Sequence, residues 1–402
     1  MKAAFLAAPR CVAGCFVLAF ALAALPAVAG QAPIVIGLSA DMSSASAQSG
    51  EAIRRGAAIA IAEINATGGV LGRPLELTVR DHRGNPARGR DNIDDLARQS
   101  DLVAVIGGLH TPVALYELEP VHRHRLIYLD PWAAGTPVVD NGYDPNYVFR
   151  VSVRDAYAGE FLIRQAIAAG FRQPGLLLER TGWGRSNEAA LLDALESRGM
   201  KAAGVAWFNW GVSRAEMKER LQSLRSAGAD VILLVSNPRE GAVTVKVMAG
   251  MPPGERPPII SHWGVTGADF ASLAGDGLKQ VDFTFLQTYS FLDPPFPTRA
   301  NKVIEAYCRQ FAECSGPRGI PSPAGTAHAY DLVHLLARAI ESAGTVDRPA
   351  IRDALETLGR YEGLVRDYDP PFTAQRHDAL NESDFRLARF GEDGSIVPDG
   401  KK

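Results

Sequence analysis

Long apolar runs, basic tracts and cysteines are all scarce in this chain. After Leu25 no hydrophobic stretch reaches the roughly 20 residues of a membrane-spanning helix, so we expect a soluble mature protein. The 42 Lys and Arg residues against 45 Asp and Glu residues give a net charge of −3, which argues against nucleic acid as a partner. G-x-S-x-G, H-E-x-x-H, Walker A and G-x-G-x-x-G motifs are absent from the sequence. We therefore predict no enzyme activity, no cofactor and no metal site.

The first 29 residues have the order of a secretory signal peptide. A positively charged start is followed by an almost wholly apolar stretch, residues 11–25, and then by the small residues Ala27 and Ala29. The segment ending at Cys15 resembles a lipobox, but most of the apolar stretch follows this cysteine. An uncleaved membrane anchor is the other alternative. We predict cleavage near Ala29 and a location outside the cytoplasm.

Two cysteines, Cys308 and Cys314, remain beyond the predicted cleavage site. An even pair in an oxidising compartment predicts a disulfide, with two separate thiols as the alternative. On one continuous helix a spacing of six would point the side chains apart. The bridge therefore requires the helix to end between the two cysteines, and the sequence Ser315-Gly316-Pro317 just beyond favours such an end.

Strand-like and helix-like patterns alternate along the mature chain in two successive units. This alternation is typical of an α/β fold with parallel sheets, and its repetition predicts two Rossmann-like lobes. In the first unit the predicted strands are 33–39, 75–81, 102–107 and 126–129, and the helices are 50–66, 87–99 and 112–124. In the second the strands are 175–180, 202–208, 231–236 and 259–262, and the helices are 185–198, 214–227 and 240–249.

The remaining residues are too few for a third domain, and we expect them to return and complete the two lobes. Residues 30–150 with about 285–365 form the first predicted lobe, and residues 151–284 with about 366–402 form the second. Several crossings between lobes would make a hinge. The predicted crossings lie near residues 149–153, 283–288 and 364–372.

The loops after the predicted strands contain an unusual set of side chains. Ligands of open parallel sheets bind beyond the carboxyl ends of the strands, so these loops are the expected site. They hold Trp132, Trp183 and Trp263, together with His110 and His262. Three tryptophans at loop mouths predict a shared apolar recess, although each ring could instead pack beneath its own loop. Helix N-termini that follow several of these loops favour an anionic group, although capping is the commoner role of their Ser and Thr residues.

Four segments resemble one known family. They are Ile64 to Leu75 (INATGGVLGRPL), Val105 to Gly108, Asp130 to Ala134 and Trp183 to Glu188. The sequence is similar to type I periplasmic binding proteins of the leucine/isoleucine/valine-binding branch over nearly all of the mature chain. The resemblance implies two lobes joined by three crossings that close on a ligand, and delivery of the ligand to an ATP-binding-cassette permease from the periplasm.

The resemblance also implies a set of site residues. Family members have an aromatic residue at the position of Ser49 and hydroxyl-bearing residues at the positions of His110 and Thr111. They have a tyrosine at the position of Trp183 and a carboxylate that pairs with the ligand ammonium at the position of Trp263. A further hydroxyl near Gly135 or Thr136 helps to hold the ligand carboxylate. We predict ligand contacts from the following residues: Ser49, His110, Thr111, Trp132, Ala133, Ala134, Thr136, Trp183, Asn237, His262 and Trp263.

Loss of the family carboxylate at Trp263 bears on the ligand. A buried ammonium without a counter-charge costs several kcal/mol, so we predict an aromatic or apolar organic ligand, with or without a carboxylate. Glu240 and Asp269 lie nearby in sequence and could supply the charge, which keeps an amino acid as an alternative. We expect a monomer that serves an ABC permease; a receptor that presents its ligand to a sensor kinase is the competing hypothesis.

Overall fold

The computed structural model describes Met1, Ala3, Ala4, residues 32–267 and residues 269–400. The predicted cleavage site near Ala29, and most of the predicted signal peptide, lie outside the described residues, so export stays a prediction. Within the described ranges no helix has the length and apolar character needed to cross a membrane.

The first sheet is parallel throughout. Its strands are short and rich in Val, Ile and Leu, as expected for strands covered on both faces. The predicted crossing near residues 149–153 begins inside this sheet, because Val148–Arg150 pair with the preceding strand before the chain leaves. The strands are β1 (Ile34–Ala40), β2 (Leu75–Asp81), β3 (Leu102–Ile106), β4 (Ile127–Asp130) and β5 (Val148–Arg150), in the spatial order β2-β1-β3-β4-β5.

Four helices connect these strands, and the first shows how the local sequence builds the fold. Its buried face includes Ile53 and Ile64, and the helix ends before Gly69, whose φ of 77° is in the left-handed region that favours glycine. The Asn65 side chain then accepts from the Leu75 N–H at 2.7 Å and donates to the Leu75 carbonyl at 2.9 Å. The segment that resembles the family signature therefore closes the turn from helix to strand. The helices are α1 (Ala47–Ala66), α2 (Pro86–Ala97), α3 (Thr111–Arg123) and α4 (Thr136–Val139).

The second sheet repeats the parallel arrangement. Its helices alternate with strands as predicted, but the helix directly after β5 was not predicted. The parallel strands are β6 (Pro174–Glu179), β7 (Gly204–Phe208), β8 (Val231–Val235), β9 (Ile259–Ser261) and β10 (Phe283–Gln287), in the order β10-β9-β8-β6-β7. The helices are α5 (Asp155–Ala168), α6 (Gly182–Glu196), α7 (Arg214–Ser226), α8 (Pro238–Ala249) and α9 (Phe270–Ala274).

The last third of the chain packs helices against α1 and adds strands to the second sheet. Helix α11 (Pro323–Ala343) packs along α1, where a Cβ on Gly56 would lie 2.1 Å from the Thr326 carbonyl oxygen, so this close approach requires glycine. A two-stranded hairpin, β11 (Tyr361–Glu362) with β12 (Asp367–Tyr368), lies at the start of the predicted crossing at 364–372. Strands β13 (Arg386–Phe390) and β14 (Ile396–Pro398) then extend the second sheet beside β10 in antiparallel fashion. The elements are α10 (Pro297–Gln310), α11 (Pro323–Ala343), α12 (Arg348–Glu356), β11 (Tyr361–Glu362), β12 (Asp367–Tyr368), β13 (Arg386–Phe390) and β14 (Ile396–Pro398).

The two cysteines beyond the predicted cleavage site meet at the end of α10. This helix ends at Gln310, between Cys308 and Cys314, as the bridge requires. The two residues form a disulfide in the structure, with Cα atoms 4.9 Å apart. Their pairing in the exported protein stays a prediction.

Candidate functional site

A recess lies between the two sheets, where residues that follow β3 and β4 meet residues that follow β6, β8 and β9. This is the position expected for a ligand of parallel α/β sheets. The recess has a cavity volume of about 20 Å³, enough for about one water molecule. Eight of the eleven predicted site residues line it. The full lining is Leu109, His110, Thr111, Pro112, Trp132, Ala133, Ala134, Glu179, Trp183, Asn237, Trp263 and Gly264.

The structure does not bring the other three predicted residues into the recess. Ser49 is buried in the first turn of α1, where a Cβ on Gly267 would lie 2.3 Å from the serine Oγ. Thr136 begins α4, and its N–H donates to Ser186 Oγ at 3.0 Å. His262 is fully buried beside Trp183. Each of the three therefore has a packing or hydrogen-bonding role in the protein itself.

Two tryptophans from opposite sheets stack on each other. The Trp132 and Trp263 rings have centroids 5.0 Å apart and an interplanar angle of 26°. Trp263 is only 1% exposed, because its short 3-10 helix after β9 points the ring at Trp132 and toward His328 of α11. Both tryptophans are buried, and their rings form a direct contact between the two sides of the recess.

The third tryptophan is fixed by a buried polar group. Trp183 lies in the first turn of α6 rather than in a loop, and its Nε1 donates to Asp155 Oδ1 at 3.2 Å. His262 accepts from the Trp263 N–H through Nδ1 at 2.9 Å, and its Nε2 lies 3.1 Å from the same Asp155 oxygen. A Cβ on Gly264 would lie 2.4 Å from the Trp183 ring, so only glycine fits there. These contacts leave Trp183 one ring orientation.

Two buried polar side chains, Asp130 and Arg150, hold the loop after β4. Asp130 Oδ1 accepts from the backbone N–H groups of Trp132 and Ala133, at 2.9 and 2.7 Å. Arg150 Nη1 donates to the carbonyls of Ala133 and Gly135, at 3.1 and 2.9 Å. The backbone on this side of the recess is therefore preorganised by residues that do not line it.

Arg150 is in turn neutralised by the C-terminal part of the chain. Its Nε donates to Asp378 Oδ1 at 2.6 Å, and both side chains are almost completely buried. Asp378 also accepts from Arg154 at 3.0 Å. The backbone N–H of Ala379 donates to the Arg150 carbonyl at 2.9 Å. The segment near Asp378 thus connects the edge of the first sheet to the chain that returns to the second.

A carboxyl group that sequence reasoning missed also lines the recess. Glu179, the last residue of β6, is 0% exposed. Its Oε1 accepts from Thr181 Oγ1 at 3.0 Å, and its Oε2 accepts from Asn237 Nδ2 at 2.8 Å. Burial raises the pKa of Glu179 to about 7. Its position at the carboxyl end of a predicted strand was the available signal, but only the loop residues after that strand were considered.

A second cavity of about 180 Å³ adjoins the recess through His110 and Asn237, which line both. His110 Nε2 lies 3.7 Å from Asp41 Oδ2. Burial by itself would raise the pKa of Asp41, but hydrogen bonds from His110 and from the serines near residue 44 hold it below the usual range. Arg83, Arg239 and Glu240 also line this second cavity.

The two acids proposed from sequence as substitutes for the family carboxylate are not in the recess. Glu240 is buried in the adjoining cavity and accepts from the Gly211 N–H at 2.9 Å. Asp269 caps α9 by accepting from the Ser272 N–H. Among the described residues, Glu179 is the only carboxyl that lines the recess.

A further cavity lies away from the predicted site residues. A larger cavity of about 260 Å³ includes Thr266 and Ile320, but it contains none of the eleven predicted residues. Over the part of the chain that the structure describes, no group of three or more His, Cys, Asp or Glu residues has a geometry that could hold a metal ion.

The comparison with known families agrees with this architecture. Residues 33–395 match the family model described as "Periplasmic binding protein". The chain therefore belongs to the periplasmic binding protein family, and it is a solute-binding protein with the type I fold. Its relatives include a Leu/Ile/Val-binding protein homolog 1 of Brucella abortus, which is 24% identical over 86% of this chain and 89% of that protein.

Two solved structures illustrate the range of ligands within the same fold. The isoleucine complex of the branched-chain amino acid transporter substrate binding protein LivJ from Streptococcus pneumoniae has a TM-score of 0.75 at 21% identity. It covers 90% of this chain and 97% of its own. A solute binding protein of an ABC transporter from R. palustris, in complex with 4-hydroxybenzoate, has a TM-score of 0.78 at 17% identity, over 92% and 96% of the two chains.

Proposed function

We propose that this chain is an exported, periplasmic solute-binding protein that captures a small organic ligand in the recess between its two lobes. In this proposal the first lobe is residues 30–150 with about 285–365, and the second is the remainder of the mature chain. In this proposal the protein delivers the bound ligand to an inner-membrane ABC permease. The observation that carries the proposal is the convergence of eight predicted residues from both sheets on one recess.

The size of the recess indicates how a ligand enters. With the Trp132 and Trp263 rings stacked, about 20 Å³ is far less than the few hundred Å³ of ordinary ligand pockets. The lobes must therefore separate at this stack before a ligand is admitted. Closure around the ligand then follows from the hinge, because each lobe supplies only half of the lining.

The lining supports an apolar or aromatic part in the ligand. Trp132, Trp183 and Trp263 offer flat apolar surface, which rewards stacking and the release of water. An α-amino acid is the second candidate. Glu179 favours it, because this buried carboxyl could pair with an ammonium group.

Native mass spectrometry of the purified protein, followed by a thermal-shift screen of amino acids, aromatic acids and lipids, tests the proposal. We expect a retained or added small molecule at a one-to-one ratio and a smaller radius of gyration in X-ray scattering at saturation. Binding without any change in radius would contradict the closing of the lobes. A complete lack of small-molecule binding would contradict the proposed function itself.

Export and transport require separate tests. N-terminal sequencing of secreted protein should give a start at Gly30, and a start at lipidated Cys15 would contradict the proposed cleavage. Uptake lost on deletion of an adjacent permease would support transport. Unchanged uptake with a lost kinase response would favour the sensory receptor instead.

A further inference from the structure

We infer that the recess selects ligands that carry a cationic nitrogen, with Glu179 as the residue that determines this specificity and the three tryptophans as an aromatic box around the charge. The inference rests on the proposed function and names the ligand class of the same recess. The sequence predicted an aromatic or apolar ligand, with or without a carboxylate, and the inference adds a positive charge to this description.

The charge of the lining is the first argument. Glu179 is the single carboxyl among the described residues that line the recess, and no Lys or Arg lines it. Its pKa, raised by burial to about 7, reflects a carboxyl without a compensating cation. None of the ion pairs among the described residues includes Glu179. An anionic ligand would meet like charge from the ionised form of this carboxyl, whereas a cation would stabilise that form and supply the missing partner.

The hydrogen bonding of Glu179 leaves capacity for a ligand. Thr181 and Asn237 each donate to a different oxygen, at 3.0 and 2.8 Å. An ionised carboxylate can accept about four hydrogen bonds through its two oxygens. A hydrogen bond from the Trp210 side chain also stabilises the ionised carboxyl. The three protein donors therefore orient the group, and an acceptor position remains for the N–H of an ammonium, whereas a quaternary nitrogen would interact with the carboxylate through its charge alone.

The aromatic rings are the second, independent argument. Three tryptophans line a recess that contains a single charged residue. Tryptophan is the best aromatic partner for a cation, and rings that surround a quaternary ammonium are a known mode of recognition. Trp132 and Trp263 come from opposite lobes, so separation of their stack would place one ring on each side of an entering cation.

The neighbouring titratable groups do not supply the counter-charge. His110 also lines the recess, but its Nε2 lies 3.7 Å from Asp41 Oδ2, which is its own acidic partner. Glu240 adds a further negative charge near Glu179 and contributes to its raised pKa. Arg83 and Arg239 belong to the adjoining cavity.

The experiment compares two pairs of probes that differ in the charged atom. Choline is compared with 3,3-dimethylbutan-1-ol, and 2-phenylethylamine with 2-phenylethanol, by calorimetry on the full mature protein at pH 7.5. We expect at least one cation to bind the wild type on the order of tenfold or more tightly than its neutral counterpart. This comparison requires no variant.

The matched variants are Glu179→Gln and Glu117→Gln. Glu117 is also fully buried, and burial also raises its pKa to about 7, but it lies in the first lobe and does not line the recess. We expect Glu179→Gln to remove most of the preference for the cation, and Glu117→Gln to keep it. Equal binding of cation and neutral probe to the wild type, or an unchanged preference in Glu179→Gln, would overturn the inference.

A fifth probe, the anion 4-hydroxybenzoate, separates this inference from the proposed function. Binding of 4-hydroxybenzoate, with no binding of either cation, would overturn the cation preference and leave solute binding intact. Lack of binding of all five probes would overturn the cation preference as well, and the broader screen above would then decide whether the chain binds a solute.

Discussion

Replacing Trp263 with alanine tests the contact between the lobes. The side chain is 1% exposed and stacks on Trp132 at a centroid distance of 5.0 Å. Truncation of a buried tryptophan to alanine costs about 3–5 kcal/mol of unfolding free energy. The stacked pair contributes about 0.5–1.5 kcal/mol beyond the area that it buries. We therefore expect a folded protein that is less stable by about 3–5 kcal/mol.

Urea unfolding, followed by circular dichroism at pH 7, measures this loss. The control is Tyr116→Ala on α3, whose side chain is 60% exposed and should change the unfolding free energy by less than about 0.5 kcal/mol. A double-mutant cycle with Trp132→Ala should give a coupling energy of about 0.5–1.5 kcal/mol. A loss below about 1 kcal/mol for Trp263→Ala, or additive effects in the cycle, would show that the two rings do not pack as described.

Three further predictions concern groups away from the recess. Asp378→Asn should cost about 3–5 kcal/mol in urea unfolding, since it leaves the Arg150 charge buried without its main partner; a loss below about 1 kcal/mol would contradict this. The Glu117 carboxyl has its pKa raised to about 7 by burial, so the folded state holds this proton more tightly than the unfolded state. The stability that this group contributes is therefore fully present below about pH 4.5 and is lost as the pH rises through 7. Glu117→Gln should flatten this decline of the unfolding free energy with pH, and an unchanged decline in the variant would contradict the prediction. Pairing of Cys308 and Cys314 should make unreduced protein from an oxidising compartment lighter by the mass of two hydrogens than the protein with two free thiols. Mass spectrometry measures this difference, and a mass that corresponds to two free thiols would contradict the pairing.

The alternation of strands and helices was predictable because it depends on local patterns. The buried face of α1, including Ile53 and Ile64, has helical spacing, and the stop at Gly68 and Gly69 is a local signal. The strand at Val148–Arg150 was harder to predict. Three residues carry too little periodicity, and their place in the sheet depends on pairing with β4.

Eight residues of the recess were predictable because the carboxyl ends of parallel strands meet at one edge. Glu179 was not, since a glutamate at a strand end is more often exposed than buried. The burial of Trp263 also escaped prediction, because it depends on contact with Trp132, which is 131 positions away in the sequence. Sequence patterns identify the loops that form a site, but not which side chains from distant loops contact each other.

The buried pair of Arg150 and Asp378 has a consequence for the order of events during synthesis. The strands of the first sheet are all complete once Arg150 has been made, yet 228 further positions separate this residue from its charge partner. Helix α11, which covers α1, is also made late. When only the N-terminal half of the chain has been synthesised, Arg150 therefore lacks its partner Asp378, and α1 is not yet covered by α11. Although its strands are made first, the first lobe therefore cannot finish folding until residues near Asp378 have been made, and the second sheet gains its last strands, β13 and β14, later still.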